Sequence, residues 1–119
     1  MILLICGSRT WRDEGRLFSI LDLRTELAMP TKVIVGGAQG ADRLAELWAR
    51  ARGIPVAAFK AEWTAHGGKS AGPIRNRRML LEGRPDMVIA FRMPGVSKGT
   101  DHMVEIAEKA GVPVEVVRG

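Results

Sequence analysis

Lys32-Val33-Ile34-Val35-Gly36-Gly37-Ala38-Gln39-Gly40-Ala41-Asp42 is the stretch that decides the fold. Its first four residues are a short, β-branched apolar run, and Gly36-Gly37 stops it. Ala41, Leu44, Ala45 and Trp48 then recur at i, i+3, i+4 and i+7, the spacing of an amphipathic helix. Gly53 is placed to end that helix, and Pro55-Val56-Ala57-Ala58-Phe59 reads as the next strand. Strand, glycine-rich turn, helix and strand in this order make a parallel unit with a crossover helix.

The same arrangement recurs on either side. Met1-Ile2-Leu3-Leu4-Ile5-Cys6 is continuously apolar, as a strand buried on both faces would be, and it runs into Gly7-Ser8-Arg9-Thr10. Asp13 can cap a following helix in which Leu17, Ile20, Leu21, Leu27 and Ala28 share a face until Pro30. After the third strand, Lys60 to Gly72 is the longest candidate loop. Pro73 fits the first turn of a helix reaching about Glu82. Asp86 to Phe91 forms a fourth strand, and Ser97-Lys98-Gly99-Thr100 opens a helix with Thr100, Met103, Val104 and Ala107 on one face. Gly111 closes it, and Pro113 to Val117 is a fifth strand.

This alternation predicts one Rossmann-like α/β domain over residues 1–119, with helices on both faces of a five-stranded parallel sheet of order 3-2-1-4-5. The turns after strands one, two and four would then meet at the topological switch point. Each opens a helix N-terminus, where amides lack partners and the dipole favours an anion.

With 119 residues, 46% of them hydrophobic, the chain can bury one core. The net charge of +5 favours an anionic partner, although an ordinary basic surface accounts for it equally. A lone cysteine, Cys6, excludes an internal disulfide and a thiolate zinc cluster, and its place in an apolar strand suits a buried structural thiol. No apolar run is long enough to cross a membrane, and the apolar start has no basic region before it, so the expected location is the cytoplasm.

The candidate ligand-binding groups follow from these turns. Gly7, Ser8 and Arg9 offer close approach and donors to an oxyanion; a tight turn with a solvated arginine is the alternative. Gly36, Gly37, Ala38, Gly40 and Ala41 offer backbone contacts, and Asp42 either stabilises its helix start or binds a sugar hydroxyl. The segment matches neither GxGxxG nor a Walker GK[ST], which disfavours ordinary dinucleotide binding and Walker-type ATP hydrolysis. Arg75, Arg77 and Arg78 fall in one helical turn; Arg75 would neutralise a phosphate and Asn76 would read a hydroxyl, or the turn is simply a basic surface. Ser97, Gly99 and Thr100 would either cap the last helix or cradle a phosphate. His66 and His102 lack metal-ligand spacing and read as surface residues. Trp48 reads as core, whereas Trp11 and Trp63 lie in loops and could pack or stack on a base. No metal or cofactor is indicated.

Taken together, GSRTW, VGGAQGADRLAELWA, GIPVAAFKAEW, KSAGPIRNRRML and AFRMPGVSKGTDHMVEIA resemble the YspA-like branch of the SLOG superfamily, from Ile2 to about Val117. The resemblance implies a Rossmann-like fold that binds a nucleotide or an ADP-ribose-like ligand. Relatives occur in bacteria and their phages, which implies the host cytoplasm if the chain is phage-encoded. The related LOG phosphoribohydrolases cleave the base from nucleoside monophosphates and dimerise, so a homodimer is a further expectation; the DprA branch binds single-stranded DNA. The LOG arginine helix is similar to Arg75-Asn76-Arg77-Arg78. Their PGGxGTxxE segment is similar to the region ending Gly99-Thr100, but its glutamate position is Met103 here. Were the chain such an enzyme, Arg75 with Asp101 and Glu105, or Asp42, would be the catalytic candidates.

The leading expectation is therefore a nucleotide-like phosphorylated ligand at the C-terminal sheet edge. The alternatives are a nucleoside 5′-monophosphate N-glycosidase and a single-stranded nucleic-acid-binding module.

Overall fold

Five apolar runs become five parallel strands in the computed structural model, which describes residues 1–62 and 68–119. The strands are β1 (Ile2–Gly7), β2 (Lys32–Val35), β3 (Val56–Ala58), β4 (Met87–Arg92) and β5 (Val114–Arg118). Between them lie the helices α1 (Glu14–Arg24), α2 (Ala41–Ala51), α3 (Ala71–Gly83) and α4 (Lys98–Lys109), with one short 3₁₀ turn at Gly68–Ser70. Trp63 and His66 lie outside the described residues. The sheet order is β3-β2-β1-β4-β5 and every pairing is parallel, as the alternation predicted.

The unbroken apolar character of β1 is explained by its central position. Successive side chains alternate between faces, and both faces are covered. Leu3 and Ile5 enter one core with Val33, Val35, Leu17 and Leu21 of α1, and Ala41, Ala45 and Trp48 of α2. Leu4 and Cys6 enter the other with Ile34, Met79 of α3, and Met103 and Ala107 of α4. Burial of an aromatic or aliphatic side chain in such a layer contributes about 1.5–3 kcal/mol. The Trp48 indole also donates to Asp22 at 2.9 Å, so its polar edge is satisfied.

Several bounds shift: the expected loop from Lys60 ends in the 3₁₀ turn at Gly68–Ser70, and Gly72 already lies in α3. The first helix ends at Arg24, and Leu27 and Ala28 are exposed beyond it. Arg24 occupies the position that would continue the apolar stripe, and it reaches out to Glu115 on β5 through two 2.7 Å bonds. The Thr25 hydroxyl donates to the Leu21 carbonyl at 2.6 Å and closes the turn. β3 begins after Pro55, whose ring has no N–H for the ladder but whose carbonyl accepts from Val33 N at 2.9 Å.

The helix ends follow their local chemistry. Asp13 accepts from Arg16 N at 3.0 Å as the N-cap of α1. Past α2 and α4, Gly53 and Gly111 hold positive φ of 69° and 77°, the left-handed exit that glycine favours.

Candidate functional site

At the carboxyl end of β1, β2 and β4 the turns enclose a cleft of about 730 Å³. Its walls come from strand-to-helix turns and from helix starts. The β1–α1 turn contributes Gly7 to Thr10, the β2–α2 turn Ala38 and Asp42, the start of α3 Gly72, Pro73, Arg75 and Asn76, and the start of α4 Val96 to Thr100. Cys6, Met79 and Met103 form its apolar floor.

Backbone crowding fixes these turns. A Cβ on Gly7 would collide with the Phe91 carbonyl and lie 2.6 Å from the Ala41 Cβ, so the β1 exit must be bare. Gly40 has a φ of +71°, and a Cβ there would lie 2.5 Å from both the Ser8 and Arg9 carbonyl oxygens. Together these two glycines let the α2 N-terminus dock against the β1–α1 turn, where Ala41 N donates to Ser8 O at 3.2 Å.

On the α4 side three hydroxyls are linked. Ser8 Oγ lies 3.0 Å from Ser97 Oγ and accepts from Met93 N at 2.9 Å. Ser97 Oγ donates to Thr100 Oγ1 at 3.0 Å. Ser97 occupies the N-cap position of α4 but accepts no amide there. The first helical bond runs from Asp101 N to Ser97 O, so the amides of Lys98, Gly99 and Thr100 precede the internal ladder.

On the α2 side a carboxylate and a guanidinium share a buried corner. Asp42 is 5% exposed. Its Oδ2 accepts from Ala38 N at 3.2 Å, whereas Oδ1 has no hydrogen-bond partner among the described residues. Burial pushes the Asp42 carboxyl up to about 6, against the opposing pull of the Ala38 amide, Arg75 and Arg9. Arg75 donates from Nη1 to Gly36 O at 2.7 Å and from Nε to Asn76 Oδ1 at 2.9 Å. Burial lowers the pKa of this guanidinium and Asp42 opposes the shift. The Cys6 thiol is pushed up by burial and then by Asp42, so it stays protonated, in keeping with a structural role.

Asn76 carries this network to α4. Its Oδ1 faces a donor, so the amide is oriented and Nδ2 donates to Gly99 O at 3.1 Å. The same Nδ2 lies 3.1 Å from His102 Nδ1, which must therefore accept. The His102 ring is held neutral with its proton on Nε2, and burial, then Arg77, lowers its pKa.

Of the residues expected to bind ligand, Gly7, Ser8, Arg9, Ala38, Asp42, Arg75, Asn76, Ser97, Gly99 and Thr100 line this cleft. Gly36, Gly37, Gly40 and Ala41 do not. Gly36 sits beneath Arg75 and Asp42, Gly37 faces Lys60, and Gly40 and Ala41 pack on the β1–α1 turn. Asp101 and Glu105 also lie elsewhere, on the outer side of α4. Asp101 pairs with Arg92 at 2.7 Å and Glu105 with Lys109 at 3.0 Å, and both border a separate groove beside β5. Arg78 turns outward to Glu82. Trp11 is buried edge-on against Phe91 with its indole donating to Asp13 O, which removes it as a base platform.

His102 was read as a surface residue and instead lines the cleft, half-buried. Its position three residues after Gly99, one turn into the helix that Thr100 and Met103 bury, was the available signal. Among the described residues no group of three or more His, Cys, Asp or Glu side chains could hold a metal ion, and no helix is long and apolar enough to cross a membrane.

The chain is similar to known proteins in sequence and in fold. The chain is 40% identical over 117 residues to the Gene 61 protein of Mycobacterium phage D29, covering 93% of this chain and 91% of that protein. Its fold matches the X-ray structure of DNA processing protein A (DprA) from Streptococcus pneumoniae with a TM-score of 0.55 at 17% identity, covering 97% of this chain and 58% of that one. That second likeness is one of fold. The model of the YspA, cpYpsA-related SLOG family matches residues 1–66. Spanning more than half of the sequence, and centred on the β1 and β2 turns that build the cleft, this match shows that the chain belongs to the YspA, cpYpsA-related SLOG family.

Proposed function

We propose that the cleft binds a phosphorylated nucleotide or nucleotide-derived ligand at the carboxyl edge of the sheet. The uncapped α4 N-terminus carries this reading. Three amides outside the helical ladder belong to Lys98, Gly99 and Thr100, which line the cleft beside the linked hydroxyls of Ser8, Ser97 and Thr100. Such a terminus is suited to an anion, and the exposed cations Arg9 and Lys98 line the same space. At about 730 Å³ the cleft has the size of a small-molecule site. The apolar floor of Cys6, Met79 and Met103 suits the uncharged part of such a ligand.

Thermal denaturation with a panel of nucleoside mono-, di- and triphosphates and ADP-ribose tests the reading. A ligand at about 100 times its dissociation constant adds about 2.7 kcal/mol of stability. A concentration-dependent rise with at least one member is expected; no rise with any member at millimolar concentration would refute it.

Asp42 favours a second reading, hydrolysis of a nucleoside monophosphate at its N-glycosidic bond. It is the carboxylate that lines the cleft, and its raised pKa is of the kind found at acid–base sites. In that reading Asp42 stabilises positive charge developing on the sugar, in the place expected of Asp101 or Glu105. Release of free base by the protein, lost in Asp42→Asn, is the expected result; absence of base release across the nucleoside monophosphates removes the reading.

A further inference from the structure

The corner at Gly36 has a specific shape. A Cβ on this glycine would lie 2.5 Å from Arg75 Nη1 and 2.9 Å from Asp42 Oδ2. A guanidinium from α3 and a carboxylate from α2 thus converge within 3 Å of one point. They nevertheless form no direct ion pair. Arg75 spends Nε on Asn76 and Nη1 on Gly36 O, which leaves its Nη2 donors, and Asp42 leaves Oδ1.

An unpartnered buried carboxylate oxygen is costly, and its residue lines a cleft that Arg75 also lines. A group that satisfies both must donate to Oδ1 and accept from the guanidinium. A phosphate dianion cannot donate and is repelled by the ionised Asp42; a cation is repelled by Arg75. A hydroxyl does both through one atom, and two adjacent hydroxyls serve both partners at once. We propose that Asp42 and Arg75 together form a subsite for the sugar hydroxyls of the ligand, which makes the cleft selective for a free ribose-type diol and leaves the phosphate to Ser8, Ser97 and the α4 amides. This rests on the reading of the cleft as a site for a phosphorylated nucleotide. It also reassigns Arg75, whose expected partner was the phosphate.

The proposed subsite fits the sugars of a polydeoxynucleotide less well than a free ribose. Such a strand has no 2′-hydroxyl and its internal 3′-oxygens are esterified, so its sugars offer Asp42 no donor along the strand.

Ribose 5-phosphate tests the subsite independently of the base. Its affinity, measured by NMR titration at millimolar concentration, is compared with those of its 2-deoxy and 3-deoxy analogues and of inorganic phosphate. A site built to hydrogen-bond a hydroxyl rejects analogues that lack it strongly. Loss of at least about tenfold is expected for one or both analogues. Asp42→Asn, confirmed as folded by its NMR spectrum, should lose the preference. Equal affinity of the three sugar phosphates overturns the hydroxyl subsite while the phosphate reading stands. Undiminished discrimination in Asp42→Asn overturns the role of Asp42. Failure of every probe, phosphate included, overturns the phosphate reading and the subsite with it.

Discussion

Replacing Asp42 by asparagine should make the fold more stable while weakening what the cleft does. Folding moves the Asp42 carboxyl from 3.8 up to about 6, because burial penalises the charged form more than the Ala38 amide, Arg75 and Arg9 help it. A folded-state pKa above the unfolded one means that the native state holds the proton more tightly. Stability is then lost as pH rises from about 3.8 to about 6, and the full penalty persists at neutral pH. Roughly two pKa units correspond to about 3 kcal/mol. Asparagine imitates the protonated acid: its carbonyl can still accept from Ala38 N. Its amide then takes the unpartnered position of Oδ1, which returns about 1 kcal/mol of the gain. The net expectation is about 2 kcal/mol, or a rise in Tm of roughly 6–10 °C for a domain of this size. The assay is paired thermal denaturation of the wild type and Asp42→Asn at pH 7.5, 6, 5 and 4. The gap should be widest at pH 7.5 and nearly closed at pH 4. A variant less stable than the wild type at pH 7.5, or a gap that does not change with pH, would refute the reasoning and make the ionised Asp42 a structural asset.

Other substitutions separate scaffold from site. Gly40→Ala combines a positive φ with close approach to two carbonyl oxygens, so chemical denaturation should show a loss of about 2–4 kcal/mol. Asp101→Ala and Glu105→Ala remove carboxylates that face away from the cleft, so nucleotide-dependent thermal shifts should match those of the wild type within error. Long-range ¹⁵N NMR should find His102 neutral with the proton on Nε2, titrating below the ordinary histidine range. Because its folded pKa is depressed, its contribution to stability is present above about pH 6.5 and lost on acidification; a ring protonated on Nδ1 at pH 7.5 would contradict the bonding assigned to Asn76.

The strands were legible because each β-branched or apolar run ends at a residue that cannot continue it, and because a parallel sheet covered on both faces leaves no polar alternation to read. Right-handed crossovers with helices on both faces left the doubly wound orders, and the Rossmann-like one, 3-2-1-4-5, is the order found. The end of α1 was harder: Leu27 continues an apolar count, but the stripe is already broken at Arg24 by a partner, Glu115, that only the tertiary fold supplies. Within the cleft, side chains in the strand-to-helix turns were predictable by position. The role of the second glycine group was not. Gly36 and Gly40 look like sites of ligand approach, yet the backbone they free is filled by Arg75, Asp42 and the β1–α1 turn. Asp101 and Glu105 were nominated by nearness in sequence to Gly99-Thr100, whereas helix phase turns both outward. The spacing of His102 from Gly99 hinted at the cleft, but its partner, Asn76 of α3, is supplied only by the tertiary fold.

Native mass spectrometry of the freshly purified protein, alone and with the nucleotide panel, tests the central claim most directly. The account predicts a one-to-one adduct whose fragments include phosphate. In Arg75→Ala, which removes the guanidinium from the subsite, that adduct should weaken by roughly tenfold to a hundredfold. A wild-type spectrum that stays bare throughout the panel, or an adduct of undiminished strength in Arg75→Ala, would contradict it.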